Sequence, residues 1–527
     1  MTQASGTKRA PWLALVGVLV AMVMVWGVIA WQGREDSPTT ENASADRPAT
    51  DDTVAEETTT TTSTLPPYDG WVNPASSQLP WPDATTEGLL TFRGNPTRSW
   101  YGEGPVPTNP QVLWEYPKGA GGMCGKSSDG GNVQTWCGDG WTGQPSVFER
   151  DGKTWVSFGG YDYGLHWLDA DTGDELVKTY KTGDLAKGSI TTDPDGYPLS
   201  YKGSRDNFLY VVATDRGPDP AVLWKLSAYD FGVAKVWNDD WDGAPLILDD
   251  YMFQGGENSN FYIVKLNRGY DAAGKVTVNP QLVFTAPSYD SQLAADAPDR
   301  HWSIETSVTI SGNTVYHANS AGLIQGFDIS GLKQGQTPTR VFRFWTGDDT
   351  DATIVADKQG MLYVGSEREK GNARSTEVGQ MMKLDPSKPD NPLVWSLPDS
   401  AGVWATPALG DGVVYFATDG GRLLAVDMQT GAIVWEKKLG SQTWQSPVVV
   451  DDVLIEGDCE GNLNAYDVSD PRVDPPQLWS VHLGGCIEAT PAVWKGRIYV
   501  AARGGKFYAL GDPPPAAATP DTTVAAQ

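Results

Sequence analysis

Acidic and aromatic residues recur at one kind of position in this chain. Trp141, Trp241, Asp242, Trp302, Glu305, Asp351, Trp404, Trp444 and Glu488 each stand at or just before the start of a short apolar segment. Trp faces interleaved with carboxylates bind cationic groups, sugars or peptide side chains. Carboxylate pairs perform hydrolysis only at defined separations, which spacing along a chain does not supply. The run Asp348-Asp-Thr-Asp351 offers oxygen ligands of the kind calcium takes, but without a recognised calcium-loop spacing it reads as a solvated acidic loop. The four histidines (His166, His301, His317, His482) lack ligand spacing and no CxxC occurs, so no metal is expected. The sequence has no phosphate loop, no Gly-x-Ser-x-Gly elbow and no His-Glu-x-x-His. The nine residues are therefore expected to line a binding surface, with no catalytic residue assigned.

What must position them is a repeat. Trp404-Ala-Thr-Pro407 leads into apolar residues 413–417, then Asp419-Gly-Gly421, residues 423–426, Asp427-Met-Gln-Thr430-Gly431 and Trp435. Trp444-Gln-Ser-Pro447 opens a second copy that closes at Trp479, and Glu488-Ala-Thr-Pro491 opens a third that stops near Leu510. Several short strands separated by turns, repeated at this length, mark the blade of a β-propeller. Tracing back gives eight starts, at Pro145, Ile190, Pro245, Glu305, Asp351, Pro407, Pro447 and Pro491, about 49 residues apart on average. The third strand often ends in an Asp that caps the next turn: Asp169, Asp230, Asp328, Asp385, Asp427 and Asp467, with Asn267 in the third blade. The outer strand carries an aromatic: Trp237, Phe284, Trp345, Trp395, Trp435 and Trp479. The last copy lacks a fourth strand, and residues 111–116 can supply it, closing the ring and leaving no unpaired edge. The expected fold is all-β: an eight-bladed propeller of four-stranded antiparallel blades over residues 69–511.

Around that domain, residues 1–10 carry Lys8 and Arg9, and residues 11–31 form an apolar stretch. As a helix it spans roughly 31 Å, one hydrocarbon core. The flanking charges place the N-terminus in the cytoplasm, the propeller outside the cell, and the protein in the cytoplasmic membrane as a single-pass protein. The alternative is a cleaved signal peptide ending at Val28-Ile-Ala30. Residues 32–68 form a Thr-rich acidic linker and residues 512–527 a Pro/Ala/Thr-rich tail, both expected to be disordered. A formal net charge of −27 has the wrong sign for nucleic acid. Four cysteines in an exported domain point to two disulfides, read as Cys124–Cys137 and Cys459–Cys486. The first would close a Gly-rich excursion; the second would join two loops of one propeller face.

The Thr-Pro starts, Asp-x-x-Thr-Gly turns and closing Trp resemble the pyrroloquinoline-quinone (PQQ) type propeller repeat over residues 88–511, as does the opening Leu90-Thr-Phe-Arg-Gly-Asn95. That superfamily implies two functions. Its quinoprotein dehydrogenases hold the quinone in the channel against a Trp, beneath a disulfide of adjacent cysteines, with calcium and a catalytic Asp. This sequence has no adjacent cysteines. The other branch is non-catalytic and resembles the propeller lipoprotein of outer-membrane protein assembly, although here an apolar helix replaces the lipid-anchor Cys. The resemblance to the second branch implies a cofactor-free scaffold for envelope protein or glycan partners. The alternative is a PQQ- and calcium-dependent dehydrogenase with divergent ligands. A carbohydrate-active enzyme using acids at the channel mouth is a third reading.

Overall fold

The computed structural model describes residues 65, 67–129, 131–140 and 143–513. The expected membrane helix, nearly all of the expected linker, most of the tail, and Trp141 lie outside the described residues. Among the described residues no helix is long and apolar enough to cross a membrane.

Eight antiparallel sheets follow one another around a ring, each with the four strands of a blade. In the sixth blade Val413–Ala417 and Arg422–Asp427 are buried along almost their whole length, because neighbouring blades cover both faces. In the outer strand Ile433–Lys438 only Trp435 is fully buried, the rest being half-buried or exposed at the edge of the blade. Gln111–Tyr116 pairs antiparallel with Lys506–Gly511 and closes the ring as the fourth strand of the eighth blade.

The Asp-x-x-Thr-Gly turn has a physical reason. Asp427 Oδ1 accepts the N–H groups of Gln429 and Thr430 at 3.0 and 2.7 Å, which fixes the turn. Gly431 then takes φ 74°, and a Cβ there would lie 2.7 Å from the Trp395 ring of the preceding blade. Trp395 Nε1 donates to the Met428 carbonyl in the same turn at 3.1 Å. The same tie recurs from Trp114 to Ala170, Trp435 to Pro471 and Trp479 to Pro107, at 3.0–3.1 Å. Each joins one blade to the next across the fifth to eighth blades and back to the first.

The second blade departs from the sequence reading. Its third and outer strands are Phe208–Ala213 and Ala221–Ser227, with Trp224 opposite Val211. Asp230 and Trp237 therefore do not end the third strand or belong to the outer one. They lie in an excursion after the blade, where an Asp and a Trp happen to stand at repeat-like spacing. Further additions include a small hairpin (Gly269–Tyr270 with Val276–Thr277) in the third blade, a helix (Ser291–Asp296) before the fourth, and another (Ala373–Val378) in the fifth.

The channel is filled. Gly88–Leu89 adds antiparallel to the innermost strand of the first blade, and Gly102–Glu103 adds parallel to that of the eighth. Between them the chain crosses the ring. The ends of the inner strands donate to it, through Thr192 N to Leu90 O, Ile310 N to Pro96 O, Ala356 N to Thr97 O and Leu409 N to Tyr101 Oη. Leu90-Thr-Phe-Arg-Gly-Asn95 is thus the core of a plug. Arg93 and Arg98 are fully buried. Arg93 donates to the Pro447 and Pro407 carbonyls at 2.5 and 2.6 Å, with Tyr101 stacked at 4.1 Å. Arg98 donates to the Val308 and Phe92 carbonyls, both at 2.8 Å. Innermost strands have no further neighbour, and the two guanidiniums satisfy carbonyls that would otherwise be buried without donors.

Candidate functional site

The plug runs along the inner strands, with Arg93 and Arg98 reaching the Pro407, Pro447 and Val308 carbonyls at their starts, and a cavity opens at the mouth beyond those starts. Two sets of residues converge there. One is the set of strand starts found in the sequence. The other lies two residues past a fixed position in each second strand: Tyr161, Arg205, Glu257, Asn319, Glu367, Asp419, Cys459 and Arg503. Of this second set, sequence reasoning selected only Cys459, as a disulfide partner. The signal for the set was the recurring Gly of the second strand (Gly159, Gly203, Gly255, Gly365, Gly457), from which the turn residue can be counted.

Asp242, Glu257 and Glu305 each offer a carboxylate oxygen within 4.8 Å of the others. Lys187 pairs with Asp242 at this cluster. Burial alone would lower that ammonium, but Asp242, Glu305 and Glu257 together hold it well above its ordinary value. Burial and then the charge of Asp351 push Glu305 up to about 8. Burial and then Glu305 push Glu257 well above the carboxylate range. Glu257 Oε2 accepts from Asn238 Nδ2 at 2.8 Å, whereas its buried Oε1 has no donor. Arg205 is engaged by Asp240 at 2.6 Å.

Lys187, Arg205, Asp240, Glu257 and Glu305 line a cavity of about 690 Å³. Its rim includes Trp136 and Trp237, the latter 42% exposed. Trp136 stands on a two-stranded hairpin, Cys124–Asp129 with Asn132–Cys137, whose base is fastened by the Cys124–Cys137 disulfide. The expected Gly-rich excursion is therefore an ordered element at the mouth. The second disulfide, Cys459–Cys486, links the second-to-third-strand turn of the seventh blade to the crossing into the eighth.

The other sequence-selected residues divide into four groups. Ser320 Oγ donates to Asp351 Oδ1 at 3.0 Å and approaches Glu305 Oε1 at 3.4 Å, so Glu305 and Asp351 belong to one acidic belt with Asp242. Glu488 binds Arg503 through both oxygens at 2.9 Å, beside Tyr161. Trp404 and Trp444 meet edge to face at 5.4 Å, both half-buried. Trp241 and Trp302 are buried, with their indole N–H groups on the Asn207 and Ala297 carbonyls at 3.0 Å, and form the wall behind the mouth.

The quinone set does not fit this channel. Both disulfides join distant cysteines, Lys187 sits on the carboxylates of the mouth, and Phe92, Arg93 and Arg98 fill the ring below.

Comparison with known proteins agrees with this architecture. The chain is a PQQ-like propeller that resembles the outer-membrane assembly type. Residues 372–510 match the family described as outer membrane protein assembly factor BamB. The BamB of Yersinia pestis is 22% identical over 317 residues, which cover 48% of this chain and 75% of that protein. The BamB of Salmonella typhimurium is 26% identical over 31% of this chain and half of its own length. That of Moranella endobia is 23% identical over 38% of this chain and 53% of its own length. A quinohemoprotein alcohol dehydrogenase from Comamonas testosteroni aligns over 81% of each chain with a TM-score of 0.52 and 15% identity, a likeness of fold.

Proposed function

We propose that this chain is a non-catalytic binding scaffold of the cell envelope, held in the cytoplasmic membrane by residues 11–31 with the propeller outside. Its open mouth receives a basic segment of an envelope protein. One observation carries this reading: the cavity is blind, its floor is acidic, and its two cationic side chains are already engaged, Lys187 by Asp242 and Arg205 by Asp240. A Lys or Arg entering between Trp136 and Trp237 would meet aromatic faces at the rim and the carboxylates of Glu257 and Glu305 beneath, a combination suited to a cation. The likeness to BamB, a protein named for outer-membrane protein assembly, supports a protein partner over a small-molecule substrate.

A photo-crosslinking residue placed at Ser128, an exposed residue lining the same cavity, in the full-length chain, in cells, tests this. The expected result is a discrete protein adduct that disappears in the Glu257→Gln/Glu305→Gln double variant. Glycan binding without a protein adduct would replace the partner class. Turnover of a sugar or alcohol with PQQ and calcium would overturn the scaffold reading.

A further inference from the structure

A second carboxylate cluster lies farther along the same belt, and nothing so far accounts for it. Asp349 and Asp351 come from the crossing between the fourth and fifth blades, and Glu367 from the second-to-third-strand turn of the fifth. One oxygen from each lies within 4.8 Å of the other two. The loop is built to hold them there. The neighbouring Asp348 takes no part in the cluster, because its carboxylate collects the backbone N–H groups of Asp349, Glu369, Lys370 and Gly371 at 2.7–3.0 Å. Glu367 N donates to the Asp349 carbonyl at 2.7 Å, which ties the two segments together.

The two clusters differ in one respect. The Asp242 cluster contains the Lys187 ammonium. Among the described residues, no ion pair joins Asp349, Asp351 or Glu367 to a cation. The nearby Lys370 extends instead to Asp299, at 3.2 Å. Asp349 is 9% exposed, and its buried Oδ1 has no hydrogen-bond donor. Three converging carboxylates, one with an oxygen aimed inward and unsatisfied, are costly to hold together unless protons or a cation neutralise them.

We propose that Asp349, Asp351 and Glu367 bind a divalent cation, with calcium preferred. The donors are all hard oxygens with no nitrogen or sulfur among them, which selects calcium or magnesium over zinc or copper. Three carboxylates leave positions for water, and calcium tolerates such irregular, partly hydrated shells better than magnesium does. The cation would cross-link the two segments that shape this side of the mouth. The proposal rests on these side chains and is independent of which partner the mouth receives.

The test uses the full-length chain in detergent, stripped with a chelator and titrated calorimetrically with calcium, magnesium or manganese chloride, with thermal unfolding in parallel. Wild type should take up one equivalent of calcium and unfold at a higher temperature in its presence. Glu367→Gln and Asp349→Asn should each weaken calcium binding on the order of tenfold or more. Each removes a repelling charge, so in chelator both should unfold at or above the wild-type temperature, which shows that they fold. Glu257→Gln, in the cluster that holds Lys187, should leave calcium binding unchanged. Three results would overturn the proposal: no saturable binding of any of the three ions, unchanged calcium affinity in folded Glu367→Gln and Asp349→Asn, or equal loss in Glu257→Gln.

Discussion

The two sides of the ring are built under different rules. From the fifth blade around to the first, every junction is tied by an outer-strand Trp that donates into a neighbouring turn and, at Gly173 and Gly431, rests on the glycine of that turn. From the second blade to the fourth, the corresponding outer positions hold Trp224, Phe284 and Phe342, opposite Val211, Ile263 and Gly326. Phe284 and Phe342 have no N–H to donate, and ion pairs such as Arg268 with Asp193 and Asp195 join blades here instead, while the additions to the repeat cluster on this side. Asp242, Glu257, Glu305 and the rim residue Trp237 lie there too, while Glu367 stands in the fifth blade and Trp136 on the hairpin before the first. The regular side carries the scaffold, and the side that departs from the repeat carries the side chains with free chemical capacity.

This contrast can be broken or sharpened by measurement. The largest effect is expected from Trp395→Ala, which removes a large buried ring and one inter-blade tie. It should cost about 3–5 kcal/mol in denaturant unfolding, and a loss within experimental error would show that the Trp ties are dispensable. Next is Arg93→Ala, which strips the donors from two buried carbonyls of the regular side and should cost about 3 kcal/mol. Arg98→Ala does the same to Val308 and Phe92, so the ratio of the two losses reports how evenly the plug braces the two sides.

A pH titration in chelator reads the buried acids, most of them in the acidic belt, with Asp419 and Glu456 on the regular side. Burial and then the charge of Asp351 push Glu305 up to about 8, and Glu257, Asp349, Asp351 and Glu367 shift in the same direction. The native state therefore holds protons that the unfolded chain has released above about pH 4.5. The resulting stability is present at low pH and lost as pH rises toward 8, so the unfolding temperature should fall between pH 5 and 8. A flat profile would mean that the belt is neutralised by something other than protons. The smallest effect on stability, within about 0.5 kcal/mol, is expected from Trp237→Ala at the exposed rim. That variant should nonetheless abolish retention of the partner captured at the mouth, measured by co-purification from cells.

Most of the ring was legible because its repeat is enforced by contacts that need particular residues. A Trp demands a small residue beneath it, and a tight turn demands an Asp and a Gly. The closing strand was legible by the same logic, since a blade missing one strand leaves an edge. The second blade was misassigned because the excursion after it contains Asp230 and Trp237 at repeat-like spacing, while the true outer-strand aromatic, Trp224, sits in an unremarkable apolar run. The acidic belt was half legible. Asp242, Glu305 and Asp351 stand at strand starts and could be counted from the repeat. Glu257 and Glu367 stand in turns, where an acid is unremarkable until the fold brings it beside two others. The plug was visible only as a motif, because nothing local announces that Arg93 will reach carbonyls 314 and 354 residues away.

That reach has a temporal meaning. Arg93 leaves the ribosome long before Pro407 and Pro447, and Trp479 cannot find the Pro107 carbonyl, 372 residues upstream, until the seventh blade exists. Early blades can form as they emerge, but the hub around which they turn cannot settle until the last is made. A chain interrupted before the eighth blade leaves Gly102–Glu103 and Gln111–Tyr116 without the strands they pair with, and is recognisable as unfinished to any protease that samples exposed strands. Completion of synthesis is thereby written into the centre of the molecule.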